Sequence, residues 1–329
     1  MSANNPPPPY HVQSKVDDPQ AFAHHSSVSA LWEEKWKQPC SMGIYPFVHG
    51  KIEDFEPIIE QLKVSSNDEV SILYQPDEYA KAFIPVGEKL VQQGEEAEKA
   101  GNTAKAKEFY LRAAAVYRIA RFPINRSPLT QKAWQLNKAT YFMGSRYLNP
   151  PVRPVLIPFK HANTSAGDQA IDIAACLRIP NGEVPAAGWP VILWICGLDA
   201  YRIDEVTPKD GHIENGSAVL RLDIPGTGDC PAAPRDPKSA DRLWSSVLDW
   251  IGTVGKEQYD LDDKRVIARG ISTGGYYAFR IAHTHADRLL GAIGHGGWSH
   301  YTLNEDWIKA MNHMEYPFDL AGALAHRFG

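Results

Sequence analysis

The sequence predicts an α/β protein in which a mostly parallel sheet is covered by helices on both faces and preceded by a helical segment. Three observations carry this reading. From about Ser27 to Phe122, apolar side chains recur at three- and four-residue spacings. From about residue 152, short runs rich in Val and Ile alternate with helical stretches. One of those runs ends in Gly270-Ile271-Ser272-Thr273-Gly274-Gly275, where a strand turns directly into a helix. The 329 residues are 43% apolar, 10% aromatic and 22% charged, a globular composition with room for a large α/β domain and an accessory unit. The net charge of −5 lacks the basic excess that nucleic-acid binding requires, so no nucleic-acid partner is expected.

Residues 1–26 include the proline run Pro6 to Pro9 and read as a disordered, solvated tail, because proline fixes φ and removes amide donors. The start has neither the basic region nor the apolar run of a secretory signal, and no 18-residue apolar run occurs. A cytoplasmic protein with no membrane span is expected. Cys40, Cys176, Cys196 and Cys230 are dispersed with no C-x-x-C pair, so neither disulfides, a zinc site nor any cofactor is expected.

Residues 27–150 read as a helical lid or accessory segment. Its first helix follows a serine cluster and carries Leu31, Trp32 and Trp36 on one face; EPIIEQLKV follows. The stretch EYAKAFIPVGEKLVQQGEEAEKA predicts one helix that stops at Gly101-Asn102. TAKAKEFYLRAAAVYRIARF returns from that turn as a second. The pair resembles one tetratricopeptide hairpin, but no second copy follows. The acidic run Glu95 to Glu98 reads as a solvated face.

Residues 151–329 read as the sheet domain. VRPVLIPF and AIDIAACLRI alternate as half-buried strands, with Ile171, Ile173, Ala175, Leu177 and Ile179 on one face. VILWIC is a buried third strand and AVLRLDIPG a fourth. A helix over Ala240–Gly255 leads to KRVIARGIS, a helix to His285 and a sixth strand, LLGAIGHGG. The remainder reads as two short helices broken at Pro317.

The strand–turn–helix around Ser272 matches G-x-S-x-G in the context that makes it a nucleophile elbow, as in the α/β-hydrolase fold. Side chains at Gly270 and Gly274 would strike the adjacent helix and strand, and Ser272 is expected in strained φ/ψ with its Oγ above the sheet. The amide of Thr273, at the positive end of the helix, is one expected oxyanion donor. The amide of Leu198, after the third strand, is the other, although Gly197-Leu198-Asp199 also reads as a plain turn. The triad order after the serine is acid, then histidine. Asp319 and His326 have that order but fall on a helix and are set aside. His295, His300 and His313 read as pocket or surface residues. Trp298, His300 and Tyr301 follow the sixth strand at the edge where such sheets bind ligands. The glycines of Asp223-Ile224-Pro225-Gly226-Thr227-Gly228-Asp229 lack the spacing of a dinucleotide site. Tyr276, Tyr277 and Phe279 are expected as core or lid contacts.

The stretches LWEEKWKQPCSMGIYPFVHGKIEDFEPI, FYLRAAAVYRIARFP, GLDAYR, DIPGTGDCPAAPRDPKSADRLW and GISTGGYYAFRIAHTHADRLLGAIGHG resemble the fungal heptaketide hydrolyases of melanin-type pigment synthesis. These yellowish-green conidial pigment proteins are related to the 2,6-dihydropseudooxynicotine hydrolases. The resemblance implies a hydrolase that cleaves a carbon–carbon bond of an aromatic polyketide, a small-molecule substrate, with Ser272 as the family's serine. It also implies two further strands bearing the triad acid and histidine, so a C-terminally truncated core with impaired activity is expected. A carboxylesterase of the same fold, or an inactive interaction module, are the alternatives.

Overall fold

Residues 23–205, 211–297, 305, 308, 311–313 and 316–328 are described by the computed structural model. The proline run, Trp298, His300 and Tyr301 lie outside these residues, as does most of the first helix expected in the C-terminal stretch.

The helical segment opens with α1 (residues 28–42), whose middle, Leu31–Trp36, is π-helical. Ser27 caps it by accepting from the Ala30 amide. α2 (Ile52–Ser66) follows. The single helix expected over residues 78–100 is in fact two, a short one at Pro76–Lys81 and α3 (Ile84–Lys99). Pro85 explains the break: proline suits the first turn of a helix, not its interior. α4 (Thr103–Ala120) returns along α3, capped by the Asn102 side chain, which accepts from the Lys105 amide. The two pack closely because α3 presents glycine to aromatic rings: a Cβ at Gly87 would lie 2.4 Å from the Tyr117 ring, and one at Gly94 2.6 Å from Tyr110. α5 (Pro128–Ser145) was not expected from its periodicity. Its start nevertheless carries a local signal, a Ser127–Thr130 capping box with proline in the first turn.

The sheet consists of β1 (Arg153–Ile157), β2 (Ile173–Arg178), β3 (Trp189–Ile195), β4 (Ala218–Leu222), β5 (Leu261–Ile271) and β6 (Gly291–His295). Their spatial order is β1-β2-β4-β3-β5-β6. β2 is antiparallel to both neighbours and β4, β3, β5 and β6 are parallel. All six expected strands form. Ile171 lies outside β2 and is 53% exposed, whereas Ile173, Ala175 and Leu177 are buried as the alternation predicts. α6 (Ser239–Trp250) and α7 (Thr273–Thr284) follow β4 and β5, and α8 (Leu320–Phe328) lies near the C-terminus.

Of the four apolar clusters among the described residues, three join these parts. One joins the sheet to α6 and α7 through Leu193, Leu220, Trp244 and Ile281. A second fills the helical segment around Trp36 and Phe47, and takes Tyr316 and Phe318 from the C-terminal stretch. A third, with Leu111, Trp134, Tyr141, Val152 and Tyr201, ties α4 and α5 to the strands and to the loop after β3. The helical segment therefore sits on the loops that leave the carboxyl ends of β3 and β4. Among the described residues, no helix is long and apolar enough to cross a membrane.

Candidate active site

β5 ends at Ile271 and α7 begins at Thr273, leaving Ser272 alone at the corner with φ 54° and ψ −129°. A non-glycine residue there is strained, and such strain persists only where the surroundings impose it. The surroundings are two glycine contacts. A Cβ on Gly270 would lie 1.9 Å from the Gly274 carbonyl oxygen, and one on Gly274 would lie 2.3 Å from the Ile195 carbonyl oxygen. The Ser272 amide donates to the His295 carbonyl at 2.7 Å, and its carbonyl accepts from Gly275 at 2.8 Å. The corner is thus clamped by β3, β6 and its own helix.

Gly197 brings the loop after β3 against this corner. A Cβ built there would meet the Ile271 carbonyl oxygen at 3.3 Å and Ser272 Cβ at 3.4 Å. Among the described residues, the amides of Leu198 and Thr273 have no protein acceptor, and Ser272 Oγ has no hydrogen-bond partner. Unpaired backbone donors beside a strained serine are what an oxyanion hole requires. Burial pushes the thiols of Cys40 and Cys176 up to about 12, and those of Cys196 and Cys230 higher still, so no cysteine is poised as a thiolate nucleophile.

The loop after β3 is held from the helical segment by buried charge. Arg121, fully buried at the cap that follows α4, pairs with Asp204 and donates to the Asp199 carbonyl oxygen at 3.4 Å. Its guanidinium lies 4.0 Å from the Tyr201 ring centroid. Tyr45 Oη donates to Asp199 Oδ2 at 2.5 Å. Burial alone would raise the Glu205 carboxyl, but His49 at 2.8 Å and Arg221 override it and hold it at about 2. Arg202 pairs with Asp223 and Asp229, and Asp229 also accepts from Trp134 and Lys138 of α5. The Asp223–Asp229 turn is therefore an anchor for the helical segment. Its Gly228 is required because a Cβ would lie 2.2 Å from Asp223 Oδ2.

Neither His295 nor His326 is brought to Ser272 Oγ. His295 is exposed at the end of β6 and meets Ser272 through its carbonyl. His313 lies in a 3₁₀ turn, Met311–His313, and His300 outside the described residues. His326 is exposed on α8. Asp319 stands just ahead of α8 rather than within a helix. It pairs with Arg126 at 2.7 Å and accepts from the Gly322 amide at 2.9 Å. Both are structural tasks. Phe279 and Tyr276, expected in core or lid contacts, are 58% and 43% exposed; Tyr277 instead packs against Trp244. Tyr45, Arg118, Arg121 and Asp204 were not singled out from the sequence. A signal for the two arginines exists: each interrupts the otherwise apolar AAAVYRIARF. Among the described residues, no three His, Cys, Asp or Glu side chains gather as a metal site.

A six-stranded sheet in this order, with a strained serine between β5 and its helix, defines an α/β-hydrolase. The model of the FrsA-like esterase family matches residues 74–328, and the chain belongs to that family. Among curated relatives, the hydrolyase poxO of Penicillium oxalicum is 27% identical over 258 residues, covering 74% of this chain and 56% of that protein. The alpha/beta hydrolase gkaG of Penicillium citrinum is 30% identical over 206 residues, covering 58% and 46%. The esterase FrsA of Pectobacterium atrosepticum is 26% identical over 236 residues, covering 71% and 52%. The chain spans about half the length of these relatives. The crystal structure of the 2,6-dihydroxy-pseudo-oxynicotine hydrolase shares the fold, with a TM-score of 0.57 at 20% identity over 76% of this chain and 67% of that one.

Proposed function

We propose that the chain is a cytoplasmic serine hydrolase that cleaves a carbon–carbon bond beside a ketone of an aromatic polyketide, with Ser272 as nucleophile. The observation that carries the reading is Ser272 held at φ 54° with the free amides of Leu198 and Thr273 beside it. In the proposed reaction Oγ adds to the ketone carbon and the carbonyl electrons move onto oxygen, where the two amides stabilise them. Collapse breaks the bond to the aromatic part, which leaves as a ring-delocalised carbanion and takes up a proton. The protonated fragment is the shortened aromatic product; water then hydrolyses the acyl-serine, releasing the carboxylic acid and regenerating Ser272. The proton leaving Oγ needs a base, which then acts as the acid. Among the described residues none lies on Oγ, so that group is sought outside them. Residues 27–150 serve as the lid of this site and 151–329 as its core, a division supported by the Tyr45–Asp199 and Arg121–Asp204 contacts.

A carboxylesterase is the second reading, favoured by the family to which the chain belongs. One experiment tests both. The protein is incubated with an aryl fluorophosphonate, then with an aryl ketone and the carboxylic ester of the same aryl group. One adduct on Ser272, absent from Ser272→Ala, with shortened product from the ketone, is expected. Turnover of the ester alone favours the esterase, and no adduct at Ser272 overturns both.

A further inference from the structure

The turn after β4 and the end of α8 border a cavity of about 420 Å³ whose lining includes Gln169, Ile171, Gly226, Gly228 and Arg327 but no residue of the elbow. α8 is seated on this turn. A Cβ on Gly226 would lie 2.4 Å from the Phe328 ring, so glycine, at φ 85°, lets the helix settle there. Arg327, one residue before that ring, is thereby carried to the cavity wall. Its Nη2 donates to the Asn125 carbonyl oxygen at 2.7 Å and to Asn125 Oδ1 at 3.0 Å. Nε is buried without an acceptor, and Nη1 has none among the described residues. No carboxylate among the described residues pairs with this guanidinium.

Other donors border the same cavity. The amides of Gly226 and Gly228, both at positive φ, have no acceptor among the described residues. Asp229, which also borders it, is saturated: its oxygens accept from Trp134, Lys138 and Arg202 at 2.7–3.0 Å. Arg202 in turn neutralises Asp223. A partly buried guanidinium and two unpaired amides, with the nearby carboxylates already committed, favour an anion. The planar guanidinium favours a carboxylate in particular. The rest of the lining is largely apolar, with Pro231, Pro234 and Ile171, whose 53% exposure a ligand would reduce. A cavity of this volume takes one or two fused rings.

We propose that this cavity is a binding site, separate from the elbow, for a small carboxylate carried on a flat apolar body, with the carboxylate on Arg327 and the two glycine amides and the body against Ile171. Binding of 2-naphthoate and of 2-naphthamide, which share the ring and differ in charge, is measured by fluorescence titration for the full chain, for Arg327→Gln and for Ile171→Asp. The readout needs no turnover, so it stands apart from the role given to Ser272. The full chain should bind the naphthoate about tenfold tighter than the naphthamide. Arg327→Gln should bring the two affinities within about twofold while leaving the naphthamide within about threefold. Ile171→Asp, a change at an exposed position, places a like charge beside the ligand and should weaken the naphthoate about fivefold. An equal affinity in the full chain, a preference that survives Arg327→Gln, or no measurable binding of the naphthoate overturns the proposal. If Arg327→Gln shows no cooperative melting, an undiminished naphthoate affinity in Ile171→Asp overturns it as well.

Discussion

Ser272 concentrates the conflict between stability and chemistry in one residue. Its φ of 54° and ψ of −129° suit glycine, so Ser272→Gly should raise the unfolding free energy by about 1 kcal/mol while removing the nucleophile. Ser272→Ala keeps a Cβ in the same strained backbone and should leave stability nearly unchanged. Urea unfolding of the two variants checks the contrast, and equal midpoints would refute the strain argument. Gly270 behaves oppositely. Its added methyl would lie 1.9 Å from a backbone oxygen that the elbow cannot move, so Gly270→Ala should lose about 3 kcal/mol or more.

At the scale of elements, α4 acts as a beam that pins the loop after β3. Arg121→Met would leave the buried Asp204 carboxylate with only Arg118, 3.5 Å away, and the Tyr201 amide, an expected loss of about 3 kcal/mol, the low end for a broken buried pair, measured by chemical denaturation. The same loop gives the fold an acid-sensitive joint. Glu205 titrates at about 2 in the folded chain against roughly 4.3 when unfolded. A carboxyl with a lowered folded value stabilises fully above the unfolded value, and its contribution disappears as pH falls from about 4.3 to about 2. It is worth about 3 kcal/mol at neutral pH. Glu205→Gln should flatten the stability–pH curve over that window, and an unchanged slope would show that the pairs with His49 and Arg221 are not what holds it.

For the whole molecule, the exposed side is the β6 edge. Among the described residues no strand pairs with its outer edge, and Leu290, Ile293 and Phe279 are 64%, 44% and 58% exposed. An open apolar edge strand is a template for association. The chain should therefore self-associate at high concentration, and the double variant Leu290→Lys, Ile293→Lys should shift it toward monomer in light scattering. A monodisperse monomer before substitution would contradict this.

The division of labour between sequence and tertiary structure follows the range of the forces involved. Strands such as VILWIC and the half-buried Ile173–Leu177 alternation were legible because side-chain periodicity is a local consequence of which face is buried. The elbow was legible for the same reason: Gly270 and Gly274 are demanded by contacts within one turn of Ser272 and with the adjoining strand. The break at Pro85 and the capping box that starts α5 were also written locally, although apolar spacing masked the first and did not reveal the second. The surroundings of the site were not local. Tyr45 and Asp199 are 154 residues apart, and Arg121 and Asp204 are 83 apart. Nothing in either neighbourhood states that a phenol from the helical segment will orient a carboxylate beside the serine. The sequence by itself determined the strand order's ingredients and the turn that exposes Ser272, because those depend on near neighbours. Only the tertiary structure decided which charges meet over that turn, because a buried ion pair takes its partner from whichever element the packing of two separate cores brings against it.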